Sequence, residues 1–167
     1  MDAPSFDLYG LTALPFGLPG HIYRSAMPFG AFDPAGRLFE AYQAAGISGV
    51  VVLADAQECQ DKTGIDLLAF YRQHGLEVIH SPIPDFNIPP REALDLALDL
   101  VVGRAQAGQH TVVHCSAGQG RTGTFLACLA HKLLGLDGAT ALAWVRASIP
   151  GAVENVDQER FVKEFAG

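Results

Sequence analysis

The chain has 167 residues, of which 49% are hydrophobic and 17% are charged, and its net charge is −7. This length suits a single domain over 1–167, and the composition excludes a disordered chain and a coiled coil. Because nucleic acids and anionic membranes attract basic proteins, the negative charge predicts no nucleic-acid binding surface. No run of 18 apolar residues occurs, so we expect no membrane association either.

The three cysteines, Cys59, Cys115 and Cys128, are an odd number without paired spacing. We therefore expect neither a disulfide framework nor a zinc site, and a reducing compartment suits this pattern. The expected setting is a monomer in the cytoplasm.

The N-terminal part of the chain predicts little regular structure. Residues 1–20 are rich in glycine, proline and aromatic residues, which is typical of an irregular segment, and a short extended piece follows near 21–24. The first helix is predicted over 33–45, because Asp33 suits the N-cap and Gly46 suits the stop.

Strands and helices alternate through the rest of the chain. The predicted strands cover 48–54, 76–80 and 110–114, and the predicted helices cover 63–74, 90–107, 122–134, 138–148 and 156–165. The helix over 122–134 is apolar nearly all round, which predicts burial on every side. This alternation predicts an α/β fold with a mostly parallel central sheet and helices on both faces.

The turn between the last strand and the apolar helix carries the candidate chemistry. From residue 114 it reads His-Cys-Ser-Ala-Gly-Gln-Gly-Arg-Thr-Gly. Small or flexible residues can aim successive backbone N–H groups into one concavity, and the helix N-terminus adds its own. Arg121 supplies two planar donors for phosphate oxygens. The candidate phosphate-binding residues are Ser116, Ala117, Gly118, Gln119, Gly120 and Arg121.

The same positive field acts on Cys115, at the end of the predicted strand. Thiols at helix N-termini and beside cations ionise more readily than ordinary thiols, so we expect a thiolate near neutral pH. A buried cysteine is more often a small hydrophobic residue. That interpretation suits Cys128, in the apolar helix, whereas Arg121 and the glycines around Cys115 favour a nucleophile.

These residues resemble a known family. His-Cys, five residues and Arg-Thr, between a strand and a buried helix, resemble the signature of the protein tyrosine phosphatase superfamily, and the short chain resembles its dual-specificity subgroup. Ile83–Phe86 lies about 30 residues before the cysteine, where the family carries its general-acid loop. Residues 22–25 resemble its opening strand and 155–165 its closing helix, so the resemblance spans about 20–167.

The resemblance implies a phosphatase that needs no metal and no cofactor. Cys115 would attack phosphorus and form a phosphocysteine, while Arg121 and the backbone N–H groups stabilise the oxygens. Asp85 would protonate the leaving oxygen and then act as the base for water. Thr122 would hydrogen-bond the sulfur, and His114 would orient the loop.

Several assignments have two interpretations. Asp85 is either the acid or a turn residue between prolines, and no other Asp or Glu has a comparable position in the sequence. Gln158 either positions water or completes a capping box with Asn155. Cys59 either forms a protective disulfide with the catalytic cysteine or is incidental. Arg24 either contacts phosphate or pairs with a carboxylate.

The substrate class is also open. Positions 116–119 carry no lysine, unlike relatives specialised for phosphoinositides, and the chain is acidic. We therefore expect a phosphorylated protein carrying phosphotyrosine, phosphoserine or phosphothreonine. The alternatives are a small phosphomonoester such as a metabolite, nucleotide or lipid, and a non-catalytic phosphate-binding module.

Overall fold

The computed structural model describes residues 10–166, within which strands and helices alternate. The strands are β1 (Thr12–Leu14), β2 (Ile22–Ser25), β3 (Ile47–Val52), β4 (Glu77–His80) and β5 (His110–His114). The helices are α1 (Arg37–Ala44), α2 (Ala56–Thr63), α3 (Leu67–Gln73), α4 (Arg91–Gln106), α5 (Gly120–Leu134), α6 (Gly138–Ser148) and α7 (Val156–Glu164).

The five strands form one sheet in the order β1-β2-β5-β3-β4. The pairs from β2 to β4 are parallel, and only β1, at the edge, is antiparallel among the described strands. The predicted α/β fold with a mostly parallel sheet is therefore confirmed. Because β5 is central, the turn after it emerges in the middle of the carboxyl edge, where parallel α/β folds build their sites.

Helices cover both faces of the sheet, as predicted. One core contains Leu98, Phe125 and Leu142 from α4, α5 and α6, and the other contains Leu38 and Leu67 from α1 and α3. Helix α5 is buried from residue 120 to residue 130. Each large apolar side chain so buried contributes roughly 1.5–3 kcal/mol, which fixes the start of α5 beside the sheet.

Within residues 10–166 no single helix meets the length and apolarity needed to cross a membrane. Helices α5 and α6 reach this length and apolarity only when they are taken together, and the pair is bent by 119° at the break between them.

The N-terminal predictions need two corrections. Residues 12–14, expected to be irregular, form β1, and residues 1–9 lie outside the described part of the chain. Helix α1 begins at Arg37 rather than near 33, because Gly36 takes a left-handed conformation. Asp33 still binds this end, since its carboxylate accepts hydrogen bonds from the N–H groups of Arg37 and Leu38 at 3.0 and 3.1 Å.

The sequence prediction missed helix α2 and placed a single helix over 63–74. The chain instead forms α2, a left-handed turn at Gly64, and then α3. Only Cys59 of α2 is fully buried, so the helix lacks the apolar stripe on which the prediction rests. Its start is marked by Asp55, whose side chain accepts from the N–H of Glu58 at 2.7 Å.

Candidate active site

A cavity of about 190 Å³ opens at the carboxyl end of β5. The residues that line it are Phe32, Asp85, Phe86, Cys115, Ser116, Ala117, Gly120, Arg121 and Glu154. The turn after β5 thus meets three other segments: the segment before α1, the proline-rich loop before α4 and the segment before α7. Phe32 and Glu154 were not singled out by the sequence.

The turn is held from its outer side by its carbonyl groups, those of residues 116–119. Arg24 donates to two of them at 2.6 and 3.2 Å, and the N–H groups of Met27 and Gly123 bond two others at 2.8 Å. The C=O and N–H groups of a trans peptide point in opposite directions. The N–H groups of the same peptides therefore point away from Arg24 and from the N–H groups of Met27 and Gly123. Neither interpretation of Arg24 anticipated this contact.

Gly118 allows the turn to pack against β2. Its φ is +76°, and a Cβ there would lie 2.2 Å from the carbonyl oxygen of Ser25. Any side chain at this position would therefore push the turn off the strand.

Glu58 on α2 fixes the guanidinium of Arg121. The two Nη atoms donate to the two carboxylate oxygens at 2.9 and 2.8 Å, and Nη1 also donates to the carbonyl of Ile83 at 3.0 Å. Arg121 is 2% exposed, and a charge so desolvated needs a partner. The hydrogen bonds from Arg121 are the main cause that lowers the pKa of Glu58 to about 2.

Two further charges adjoin this pair. Asp85 Oδ1 lies 3.2 Å from Arg121 Nη2. The Lys62 ammonium lies 2.9 Å from both Glu58 Oε2 and Ser116 Oγ. Glu58 and Lys62 were missed together with α2, although their i, i+4 spacing is a helical ion-pair signal.

His114 is buried and uses both ring nitrogens. Nδ1 lies 2.9 Å from the carbonyl oxygen of Cys115 and Nε2 lies 2.8 Å from the Tyr71 hydroxyl. A carbonyl only accepts, so Nδ1 carries the proton and Nε2 accepts from the tyrosine. Burial lowers the pKa of His114 to about 4. The ring is therefore neutral at pH 7 and anchors the peptide that follows Cys115.

Comparison with known proteins identifies the family. A family model described as Tc-R-P, polymorphic toxin system, DSP-PTPase phosphatase, matches residues 28–133. The chain belongs to the DSP-PTPase phosphatases. The resemblance to small dual-specificity-like members of the tyrosine phosphatase superfamily is thereby confirmed.

Individual relatives agree with this family. The crystal structure of Tk-PTP in its active form is similar with a TM-score of 0.75 and 33% identity, covering 91% of this chain and 94% of that one. An uncharacterised protein of Methanocaldococcus jannaschii is 38% identical over 92 residues, 54% of this chain and 60% of the relative. Phosphatidylglycerophosphate phosphatase PTPMT2 of Arabidopsis thaliana is 27% identical over 122 residues, 72% of this chain and 51% of the relative. The chain thus spans only part of these curated relatives.

In this DSP-PTPase phosphatase, Thr122 does not make the hydrogen bond that the resemblance implies. Its hydroxyl is buried and has no hydrogen-bond partner within residues 10–166, the sulfur of Cys115 included. The hydroxyl therefore remains available at the start of α5.

Gln158 is buried and is not among the residues that line the cavity. Its Oε1 accepts from the N–H of Glu154 at 2.9 Å, and its Nε2 donates to the carbonyl of Asn87 at 3.2 Å. Asn155 caps α7 by accepting from the N–H of Gln158 at 2.9 Å. Of the two interpretations of Gln158, the capping box is closer to the structure, except that Gln158 accepts from the N–H of Glu154 instead of that of Asn155. The structure brings a second carboxylate, that of Glu154, to the cavity that Asp85 lines.

The other two cysteines are buried and free. Burial raises the pKa of Cys59 to about 11 and that of Cys128 to about 12, so both are protonated thiols at neutral pH. Cys59 forms no disulfide with Cys115 in this structure. Within residues 10–166 no group of three or more His, Cys, Asp or Glu side chains is arranged to hold a metal ion.

The Glu58–Arg121 pair predicts a pH-dependent contribution to stability. We expect Glu58→Gln to lower the free energy of unfolding at neutral pH by about 1.5–3 kcal/mol, the usual range for hydrogen bonds to charged groups. Because folding lowers the pKa of Glu58 from 4.5 to about 2, its contribution is complete above pH 4.5 and is lost as the pH falls toward 2. Urea unfolding of both chains across this range measures the difference.

The control for this measurement is Asp61→Asn, an exposed carboxylate on the same helix. Its effect should stay within about 0.5 kcal/mol at every pH. A wild-type advantage over Glu58→Gln that does not shrink in acid would contradict the assignment.

Proposed function

We propose that this phosphatase hydrolyses phosphomonoesters through a cysteinyl-phosphate intermediate and that its first substrate class is phosphotyrosine in proteins. The observation that carries the proposal is the single cavity lined by Cys115, Arg121 and Asp85. A nucleophile, a fixed double donor and a carboxylate are the three groups that this covalent route uses.

In the first step Cys115 Sγ attacks phosphorus, and the bond from phosphorus to the ester oxygen breaks. Two equatorial oxygens accept from Nε–H and from the second N–H of Nη2, the donors of Arg121 that Glu58 and Ile83 leave unused. Because Glu58 already fixes the guanidinium plane, little reorientation is needed. Protonated Asp85 gives its proton to the departing oxygen. In the second step the ionised Asp85 takes a proton from water, the water oxygen bonds to phosphorus, and the phosphorus–sulfur bond breaks with its electron pair on Cys115 Sγ, a thiolate stabilised by the N-terminus of α5.

Two exposed aromatic side chains support an aromatic substrate. Phe32 and Phe86 are 66% and 65% exposed, yet both line the phosphate cavity. Phe86 has a φ of +61°, uncommon for a bulky residue, and Asn155 Nδ2 holds its carbonyl at 2.8 Å. Backbone strain of this kind concentrates at functional sites. The phenyl ring of phosphotyrosine would contact these two rings while its phosphate reaches Cys115.

A second candidate substrate is a more anionic small phosphomonoester, such as a phosphorylated lipid head group. Positions 116–119 of the turn carry no lysine, which disfavours a highly anionic substrate. Lys62 now supplies an ammonium from α2, 2.9 Å from Ser116 Oγ. The named activity of the similar Arabidopsis protein is of this class.

The nucleophile is tested by Cys115→Ser. We expect turnover of an aryl phosphate to be abolished while phosphate still binds, because the backbone cradle remains and a serine hydroxyl is not ionised at neutral pH. Phosphate release and calorimetric binding of inorganic phosphate measure the two properties, and Cys128→Ala should retain both. A wild-type chain that binds phosphate without turnover would be a non-catalytic binding module. Turnover by the serine variant would contradict the covalent route.

The substrate class is tested with a tyrosine-phosphorylated peptide, its threonine-phosphorylated counterpart and a phosphoinositide. We expect the highest kcat/KM for phosphotyrosine. Phe86→Ala should lower that value about 2–10-fold, the worth of an aromatic contact, and should leave the threonine substrate nearly unchanged. Val156→Ala, which removes an exposed side chain outside the cavity lining, is the control. Preference for the phosphoinositide would favour the second candidate.

The acid is tested by Asp85→Asn across esters of increasing leaving-group basicity. Alkoxides need a proton far more than nitrophenolate does, so kcat should fall about 10²–10⁴-fold for alkyl phosphates and little for nitrophenyl phosphate. Pre-steady-state and steady-state release across the series measure this dependence. Equal loss for every ester would make Asp85 a structural turn residue.

A further inference from the structure

The loop that carries Asp85 contains a tight turn with an unfavourable backbone conformation. The N–H of Asn87 donates to the carbonyl of Pro84 at 2.9 Å, which closes a four-residue turn with Asp85 and Phe86 at its centre. Phe86, the third residue of this turn, has a φ of +61°. Turns with a positive φ at the third position prefer glycine or asparagine there, because a bulky side chain crowds the backbone. Contacts from outside the loop are therefore needed to keep the turn in this shape.

The first turn of α7 supplies two such contacts. Asn155 Nδ2 donates to the carbonyl of Phe86 at 2.8 Å, and Gln158 Nε2 donates to the carbonyl of Asn87 at 3.2 Å. These two carbonyl groups are consecutive in the chain, and they directly follow Asp85. The start of α7 thus holds the backbone immediately after the acid.

The Asn155 side chain has two partners, one on each amide atom. Its Oδ1 accepts from the N–H of Gln158 at 2.9 Å and so caps α7, while its Nδ2 donates to Phe86. A backbone N–H only donates and a carbonyl only accepts, so these two partners fix the orientation of the amide. Because the cap holds the amide, the Nδ2 donor is already directed at the loop of Asp85.

Helix α7 is in turn anchored to the body of the fold. Val162, near its end, and Phe165, which follows it, belong to the core that also contains Phe125 of α5. On its outer side, Glu159 pairs with Arg146 of α6 at 2.6 Å. The donor that contacts the loop therefore stands on a fixed base.

The Asp85 carboxylate depends on the backbone that Asn155 holds. Its side chain is 46% exposed, and its Oδ1 lies 3.2 Å from Arg121 Nη2. The same oxygen accepts from the N–H of Phe86 at 3.0 Å. Phe86 therefore contacts the carboxylate through its N–H and Asn155 through its carbonyl, so the conformation of this one residue links the two side chains.

We propose that Asn155 is a positioning residue for the acid, an inference that rests on the proposed role of Asp85. Its amide holds Phe86 in the left-handed conformation and so keeps the Asp85 carboxylate at the cavity. Without this donor Phe86 returns more readily to a right-handed conformation, and Asp85 is within reach of the leaving oxygen for less of the time. Asn155 is not among the cavity-lining residues, so phosphate binding does not depend on it.

The variant Asn155→Ser separates this role from the helix cap. Serine caps a helix about as well as asparagine, but its shorter side chain cannot bond Gln158 and reach Phe86 together. We expect kcat/KM for the threonine-phosphorylated peptide to fall about 3–10-fold, the worth of one hydrogen bond. The value for p-nitrophenyl phosphate should be nearly unchanged, because its leaving group needs little protonation.

Two further variants control for the cap. Asp137→Ser makes a similar replacement at the N-cap of α6, where the side chain accepts from the N–H of Thr140 at 2.8 Å, and it should leave both kcat/KM values as in the wild type. Asn155→Asp keeps the cap with a carboxylate that cannot donate, so it should repeat the selective loss. Calorimetric affinity for inorganic phosphate should be the same in Asn155→Ser and the wild type.

A double variant tests whether Asn155 acts through the acid. Added to Asp85→Asn, the change Asn155→Ser should cost nothing further with the threonine-phosphorylated peptide, because residues that act through one another are not additive.

The outcomes distinguish this inference from the proposed function. Equal loss for every ester in Asp85→Asn alone would overturn the proposed acid, and this inference with it. With the acid intact, an unchanged kcat/KM for the threonine-phosphorylated peptide in Asn155→Ser would overturn the role of Asn155. Equal loss for both substrates, or a further loss in the Asp85→Asn background, would do the same, because either would indicate a general structural effect.

Discussion

The pairing of Arg121 with Glu58 is the interaction on which the site depends. A guanidinium that is 2% exposed has lost its water and needs an anion even when no phosphate is present. Glu58 supplies that anion through both oxygens and so fixes the donor plane before substrate arrives. The polar helix α2, with little apolar surface of its own, is held in part by this charge.

The surrounding fold also holds the turn after β5 in place. The turn after β5 has its carbonyl groups bonded by Arg24, Met27 and Gly123 on one side. Neutral His114, anchored by Tyr71, holds the peptide that follows Cys115. Arg24 and His114 lie in the sheet, Gly123 lies in the buried start of α5 and Tyr71 lies in α3, so the surrounding elements set the shape of the turn.

The regular part of the fold could be predicted from sequence because its signals are local. Helix 138–148 and strand 110–114 were predicted with their observed ends, since caps and apolar periodicity mark them directly. The same holds for the small residues and Arg121 of the turn after β5. Glu58, Lys62 and Glu154 could not be found in this way, because only tertiary contacts bring Glu58 and Lys62 to the cavity residues Arg121 and Ser116 and bring Glu154 to the cavity lining.

The contacts of the turn also bear on where the working unit of this family begins and ends. The family match runs from residue 28 to residue 133, and it includes Cys115, Arg121 and the loop of Asp85. Arg24, which clamps the turn from β2, precedes that span, and Glu154 and Asn155 follow it. A chain made of the matched span alone would contain every residue of the signature. It would lack Arg24, whose side chain holds the turn after β5, and it would lack Glu154 and Asn155. The part of the chain that builds this cavity is therefore wider than the span by which the family is identified.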